Sequence, residues 1–363
     1  MKLGVEAALV EGRFVQGDVD VVDGRITAYG LTSPTGRGVA APGFVDLQVN
    51  GFGGVDLLAA DADAYRRAGE ALLETGVTSY LPTFITAPED QLVAALRSVP
   101  STSRYPRILG VHLEGPFLAP SHLGTHPGSA RRDPDPALLG RLLGAGPVRL
   151  MTLAPELPGA LDLVRLLHQH GVTVSCGHTD ATAEQANAIF DRGVHTVTHL
   201  FNAMRPFRHR DPGIAGVALA RPDVVVQIIL DSVHLAMDTV KLVWQGAAGR
   251  VALVTDAVAG AGSVQGSYSL GEVAVKVRDG AARREDGVLA GSVLTMIDAV
   301  RNLHALGVSL EQALDAATAV PSRVLGADDV GRLGVGQPAD IVVVSDALEV
   351  VRVLVDGETR VAA

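Results

Sequence analysis

A single cysteine, three lysines and an aromatic content of 4% are what this chain of 363 residues has least of. With only Cys176, no intrachain disulfide can form, which fits a reducing compartment. Because Lys2, Lys241 and Lys276 are the only lysines, arginine supplies nearly all the positive charge, and the formal net charge is −10. A nucleic-acid surface needs a basic stripe to neutralise phosphates, and none is present. An anionic small substrate needs only one or two local cations and is not excluded. The first residues alternate polar with apolar and carry Glu6 and Glu11 where a signal peptide needs an unbroken apolar stretch. No run is long and apolar enough to span a bilayer. The expectation is a cytoplasmic protein with neither membrane nor nucleic-acid partner. Scarce aromatics leave alanine, valine and leucine to fill the interior. The apolar fraction of 47% and mean hydropathy of +0.28 are those of a well-buried globular chain.

Residues 1–41 read as short strands and hairpins, among them Ala8–Val10, Val19–Val22 and Arg25–Ala28, with Asp23-Gly24 as a tight turn. Residues 332–363 look alike, with Asp340–Val344, Val350–Val355 and an Asp356-Gly357 turn. Neither end has enough strands for a stable sheet, so the two are expected to meet in one small β-sandwich domain. Between them, residues 42–331 alternate strands with helices, which demands parallel strands and crossovers. The strands predicted are Phe44–Val49, Val77–Pro82, Ile108–Leu113, Val148–Leu153, Val172–Cys176, Thr196–His199, Val224–Leu230 and Val251–Thr255. Helices are predicted at Ala64–Glu74, Gln91–Leu96, Leu161–His170, Ala183–Phe190, Thr239–Ala247, Val293–Ala305 and Leu310–Ala317. Eight strands close a (β/α)8 TIM-type barrel, and the span is near the roughly 250 residues usual for one. A doubly wound sheet would need a glycine-rich phosphate loop before a helix, and Gly51, Gly53 and Gly54 lack that context. Tyr268–Arg278 alternates like a hairpin arm placed to fold over the barrel mouth.

Four predicted strands end in side chains able to bind metal or move protons. Arg107–Phe117 runs through apolar residues into His112 and Glu114; Cys176-Gly177-His178, Thr198-His199 and Thr255-Asp256 repeat the design. A single histidine is more often a hydrogen-bonded core residue. Two histidines and a glutamate at three separate strand ends instead make a ligand set for Zn²⁺ or Fe²⁺ with a position left for water. Asp256, before a flexible Gly/Ala loop, suits a general base that later acts as acid, with a ligand role as the alternative. The loop past His199 carries Arg205, Arg208, His209 and Arg210, expected to form an anion site because guanidinium grips phosphate in a fixed fork. His168, His170, His195 and His304 read as structural, while His122 and His209 take no assignment.

Several stretches resemble one family. They are Pro42–Gly51 (PGFVDLQVNG), His112–Phe117 (HLEGPF), Gly177–Thr182 (GHTDAT), Thr198–Met204 (THLFNAM), Asp231–His234 (DSVH), Val254–Ala257 (VTDA) and Leu289–Ser292 (LAGS). In this order they are similar to the N-acetylglucosamine-6-phosphate deacetylases of the amidohydrolase superfamily, over about residues 42–325. The resemblance implies hydrolysis of the acetamido group of a phosphorylated N-acetyl amino sugar. It implies Glu114, His178 and His199 as metal ligands and Asp256 as general base and acid. Substrate would be bound by Thr125, His126, Asn202, Ala203, Arg210, His234 and the Leu289-Ala290-Gly291 turn. It further implies a homodimer in which Arg210 serves the neighbouring subunit's site. Where many amidohydrolases carry His-x-His for a second metal, this chain has Gln48-Val49-Asn50, and no lysine lies near a strand end. One metal ion per chain is therefore expected. Cys176 and Ser232 depart from the family pattern without touching the proposed chemistry. N-acetylgalactosamine-6-phosphate or another N-acyl compound is the competing substrate. An inert barrel serving as a binding module would have lost Asp256 or a ligand, and all are present.

Overall fold

The structure is a computed structural model that describes residues 1–32, 36–101 and 106–362. Its centre is a nearly closed barrel of parallel strands. In order around the barrel these are Phe44–Val49, Val77–Ile85, Val111–Glu114, Val148–Leu153, Thr173–Cys176, Thr196–Val197, Val225–Ile228 and Val251–Leu253. The short strand Arg107–Ile108 also pairs with Val77–Ile85. Between the eighth and first strands no ladder forms among the described residues. The gap is bridged by Val49 against Ala257 and by the Asp46 carboxylate, which accepts from the Thr255 hydroxyl at 2.6 Å.

The strand ends differ from expectation in informative ways. The third strand is broken at Leu109-Gly110, where Gly110 takes φ +126° and an added Cβ would lie 2.8 Å from the Pro147 carbonyl oxygen. It resumes at Val111 and runs through Glu114, so the carboxylate is held by strand pairing rather than by a loop. The sixth strand stops at Val197, and His199 lies beyond it with φ +29°. Three helices lie outside the predicted set. Pro136–Leu143 is short and starts on an Asp135 cap, and Gly213–Ala220 is apolar on nearly every side. Ala319–Leu325 contains a proline.

Six strands from the two ends form one sheet, in the order Arg13–Gln16, Ala7–Val10, Val39–Pro42, Ile341–Val344, Val350–Val355 and Glu358–Ala362. The hairpin Asp18–Val22 with Arg25–Leu31 packs on it, and Val19, Val21 and Ile26 share a core with Val10, Ile341 and Leu354. Arg107 joins this unit to the barrel through ion pairs with Asp340, at 2.6 Å, and Asp356. The segment after the eighth strand is a three-stranded sheet of Gly266–Leu270, Val273–Arg278 and Ala281–Arg283. Its Leu270 packs with Ile85 and Val258. No helix among the described residues is long and apolar enough to cross a membrane.

Candidate active site

The carboxyl ends of the barrel strands enclose a cavity of about 330 Å³. Glu114 reaches it from the third strand, buried to 3% exposure. Its Oε1 lies 2.9 Å from His199 Nε2 and 3.2 Å from His178 Nε2, and the two imidazole nitrogens are 3.1 Å apart. These three residues form the one His/Cys/Asp/Glu cluster among the described residues able to hold a metal ion. The His178 ring is oriented by its Nδ1–H, which donates to the His122 carbonyl at 2.8 Å and leaves the Nε2 lone pair facing the cluster. His178, His199 and Asp256 all sit at positive φ, an uncommon state for non-glycine residues that aims each side chain inward from the end of its strand.

Burial alone would push the Glu114 carboxyl up, but the neighbouring imidazoles of His126, His178 and His199 outweigh it and hold the group well below the usual range. Gln48 donates an amide hydrogen to Glu114 Oε1 at 3.0 Å. Asn50 does the same to Asp256 Oδ1 at 2.7 Å. Burial pushes Asp256 up to about 8; the neighbouring Glu114 charge adds to this, while His199 and Asn50 pull it down. His126 accepts the Thr86 amide hydrogen at Nδ1, 3.2 Å away, so its own N–H is at Nε2, 3.4 Å from Glu114 Oε2. His234 is held through Nδ1 by Asp231 Oδ2 at 2.7 Å. Deeper, burial lowers His112 to about 4, which keeps it neutral.

The cavity brings together most residues singled out in the sequence: Asn50, Glu114, Thr125, His126, His178, His199, Asn202, Ala203, His234, Asp256, Leu289 and Gly291. Ala290 is not among them. It is fully buried against the three-stranded sheet, and only the neighbours on either side face the cavity. The arginine loop does not form the expected cluster within one chain. Arg205 is held by Asp180 at 3.0 Å and Asp211 at 2.8 Å, while Arg208, His209 and Arg210 are exposed and line no part of the cavity. Sequence reasoning missed the apolar wall of Ile85, Ile229, Leu270 and Val288, and the part played by His122. That part is a backbone carbonyl, for which no side-chain motif exists.

The amidohydrolase family pattern matches residues 39–360. The chain belongs to the amidohydrolase family. Within that family it is similar to N-acetylglucosamine-6-phosphate deacetylase of Bos taurus, at 37% identity over 88% of this chain and 83% of the relative. It is also similar to N-acetylgalactosamine-6-phosphate deacetylase of Escherichia coli O157:H7, at 34% over 87% and 86%. Among solved amidohydrolase structures, N-acetyl-D-glucosamine-6-phosphate deacetylase of Mycobacterium smegmatis, a variant in complex with N-acetyl-D-glucosamine-6-phosphate, superposes with a TM-score of 0.94. The identity is 34%, over 99% of this chain and 98% of that one.

Proposed function

We propose that the chain hydrolyses the acetamido group of N-acetylglucosamine-6-phosphate, giving glucosamine-6-phosphate and acetate. The observation that carries this reading is that the Glu114–His178–His199 cluster and the buried Asp256 carboxylate face one cavity. The donor set fits a metal, because the His178 lone pair and the Glu114 carboxylate converge at Nε2 and Oε1 with the second imidazole beside them. Two imidazoles and a carboxylate suit zinc, which we assign, with iron(II) as the alternative. When bound, the ion supplies Lewis-acid polarisation of the amide carbonyl and water activated at neutral pH.

One ion per chain follows from how Gln48 and Asn50 are used, since their amide nitrogens are engaged by Glu114 and Asp256. Their buried oxygens have no hydrogen-bond partner, but amide oxygen is a weak ligand for zinc. Asp256 acts as the general base and then the acid. Asn50 occupies Oδ1, which leaves Oδ2 to take the proton of the attacking water and return it to the leaving amine. Burial opposes the ionised form this base needs, and a divalent cation held by Glu114, His178 and His199 would favour that form. His126 offers an Nε2–H to a substrate oxygen, and His234, fixed by Asp231, offers its Nε2. Thr125, Asn202, Ala203, Leu289 and Gly291 complete the substrate contacts.

We assign Arg210 to the phosphate of the neighbouring subunit's substrate in a homodimer. Its exposure and its place outside its own cavity support that role. A cytoplasmic location is supported by a single, buried, unpaired cysteine. The deciding experiment measures acetate release from both 6-phosphate epimers, with metal content, for the parent and His178→Ala. The parent should turn over the glucosamine epimer with one bound ion, and His178→Ala should lose both ion and activity. Full metal content in that variant, or two ions per parent chain, would overturn the ligand assignment. Mixing Arg210→Ala with Asp256→Asn should restore activity through hybrid dimers. Absence of recovery despite subunit exchange would place Arg210 outside the neighbour's site.

A further inference from the structure

Beneath the ligand cluster the barrel lumen is polar, where branched aliphatic side chains are the usual filling. His112, Thr152, Ser175, Thr196, Thr198 and Gln227 are all at 0% exposure there. They are joined one to the next. His112 Nε2 lies 2.8 Å from Thr152 Oγ1, which lies 2.7 Å from Thr198 Oγ1, itself 2.6 Å from Ser175 Oγ. Gln227 Nε2 is 3.4 Å from Ser175 Oγ and 3.0 Å from Thr196 Oγ1. At the other end His112 Nδ1 is 3.1 Å from the Leu47 carbonyl oxygen and 3.4 Å from the Thr83 hydroxyl.

The direction of this chain is determined. A carbonyl oxygen only accepts, so Nδ1 carries the His112 hydrogen and Nε2 its lone pair. The Thr152 hydroxyl therefore donates to His112 and can only accept from Thr198. Thr198 in turn accepts from Ser175, and Ser175 accepts from the Gln227 amide. Each hydroxyl has one hydrogen, so none of the three hydroxyls between His112 and Gln227 can turn without leaving a buried group unpaired; at the far end the Gln227 amide oxygen has no partner. The belt ties together six barrel strands through Leu47, His112, Thr152, Ser175, Thr196 and Gln227, with Thr198 as a link just past the sixth strand.

We infer that this one-way belt, ending in His112, holds the three ligand side chains at metal-binding separations, and that His112 is a positioning residue for the metal centre. His112 is two residues before Glu114 on one strand and so shares its face. Thr198 directly precedes His199, and Leu47 directly precedes Gln48, whose amide grips Glu114. Gly177, the residue before His178, lets the belt close beneath it: a Cβ there would lie 2.8 Å from Thr152 Cγ2 and 3.0 Å from Thr198 Cβ. Stability does not call for such a belt, because replacing both partners of a buried hydrogen bond by apolar groups of the same shape is nearly neutral. What an apolar filling lacks is a directional tie between strands.

The inference rests on the metal reading above, and its test reads metal affinity rather than turnover. Zinc dissociation constants are measured by chelator competition for the parent, His112→Phe, His112→Gln and Thr198→Val, with melting temperatures of the metal-stripped proteins. Loss of a partner behind a ligand typically costs about 10–100-fold in metal affinity, and His112→Phe should fall in that range. His112→Gln places an acceptor where Nε2 stood and should recover most of the loss. Thr198→Val keeps the shape, removes two links and should weaken zinc about tenfold, while the Thr152 and Ser175 hydroxyls it leaves unpaired also lower the stripped protein's melting temperature. Parent-like affinity in both His112→Phe and Thr198→Val overturns the inference. Equal losses in His112→Phe and His112→Gln also overturn it, since shape would then be responsible. If His112→Phe does not fold, Thr198→Val decides alone. A parent without zinc affinity removes the metal reading and this inference together, whereas a zinc-binding parent with unaffected variants removes only the inference.

Discussion

Between the terminal sheet and its hairpin lie Leu3, Val5, Val19, Ile26, Ile341 and Leu354, an apolar interior at whose margin the buried Asp18 carboxylate accepts from the Gly4, Val5 and Val19 amides. Inside the barrel, just under the cavity, lie Asp46, His112, Thr152, Ser175 and Gln227, equally sealed from solvent. The first interior draws its stability from apolar area removed from water, which any set of side chains of similar volume supplies. The second gains little from that source, and each of its polar groups would cost about 1–3 kcal/mol if left unpaired. Side-chain identity in the lumen is therefore tied to position and chemistry, whereas in the terminal sheet it is tied to volume. The two can be separated by substitution.

The largest effect is expected at the rim of the lumen. Asp256→Asn keeps the shape of the side chain but cannot carry a proton, so kcat should fall about 10²–10⁴-fold or more. Metal content should hold, as should substrate binding measured with the inactive protein. Loss of the metal would make Asp256 a ligand, and near-normal turnover would remove it from the mechanism. In the terminal sheet the pattern should invert. Leu354→Ala, at a fully buried position, should cost about 2–5 kcal/mol in stability while kcat per folded molecule stays unchanged. A large change in kcat there would mean that the terminal sheet reaches the chemistry.

A smaller effect should come from Asp46, whose carboxyl burial pushes up to about 7 against the hydrogen bonds of Thr255 and Gln48. Its folded value lies above the unfolded one, so between about pH 4 and 7 the folded state holds a proton that the unfolded state has released. Stability from this group is present below that window and is lost as pH rises through it. Asp46→Asn mimics the protonated form and has no such loss. Relative to the parent it should gain about 1–3 kcal/mol between pH 5 and 7, read from denaturant melts at each pH. A difference independent of pH would show that Asp46 is ionised in the folded protein throughout.

The barrel was legible because its strands are near-continuous apolar runs separated by amphipathic helices, and those runs survive any detail of packing. The Glu114, His178 and His199 cluster was legible because each of these residues follows or closes such a run. Helix Gly213–Ala220 was not legible, since a helix apolar on nearly all sides has no period to find. The pairing of Arg205 was hidden for a related reason. Composition shows three guanidinium groups but not that Asp180 and Asp211, distant or adjacent in sequence, take up Arg205. His112 was read only as part of a strand, because nothing in the chain announces that its two nitrogens meet a carbonyl and a hydroxyl from other strands.

The order of the terminal sheet also sets a schedule for synthesis. Val39–Pro42 lies between Ala7–Val10, made before it, and Ile341–Val344, made after all eight barrel strands. At about 5–20 residues per second, one edge of Val39–Pro42 stays unpaired on the ribosome for on the order of 15–60 s. An unpaired edge is a template for another chain's strand, and neighbouring ribosomes on one message bring identical chains close together. A chain halted between His199 and Ile341 would keep that edge open while already holding Glu114, His178 and His199. Such fragments are expected to appear in aggregates rather than as soluble intermediates, so the yield of this protein depends on how quickly its last strands follow the barrel.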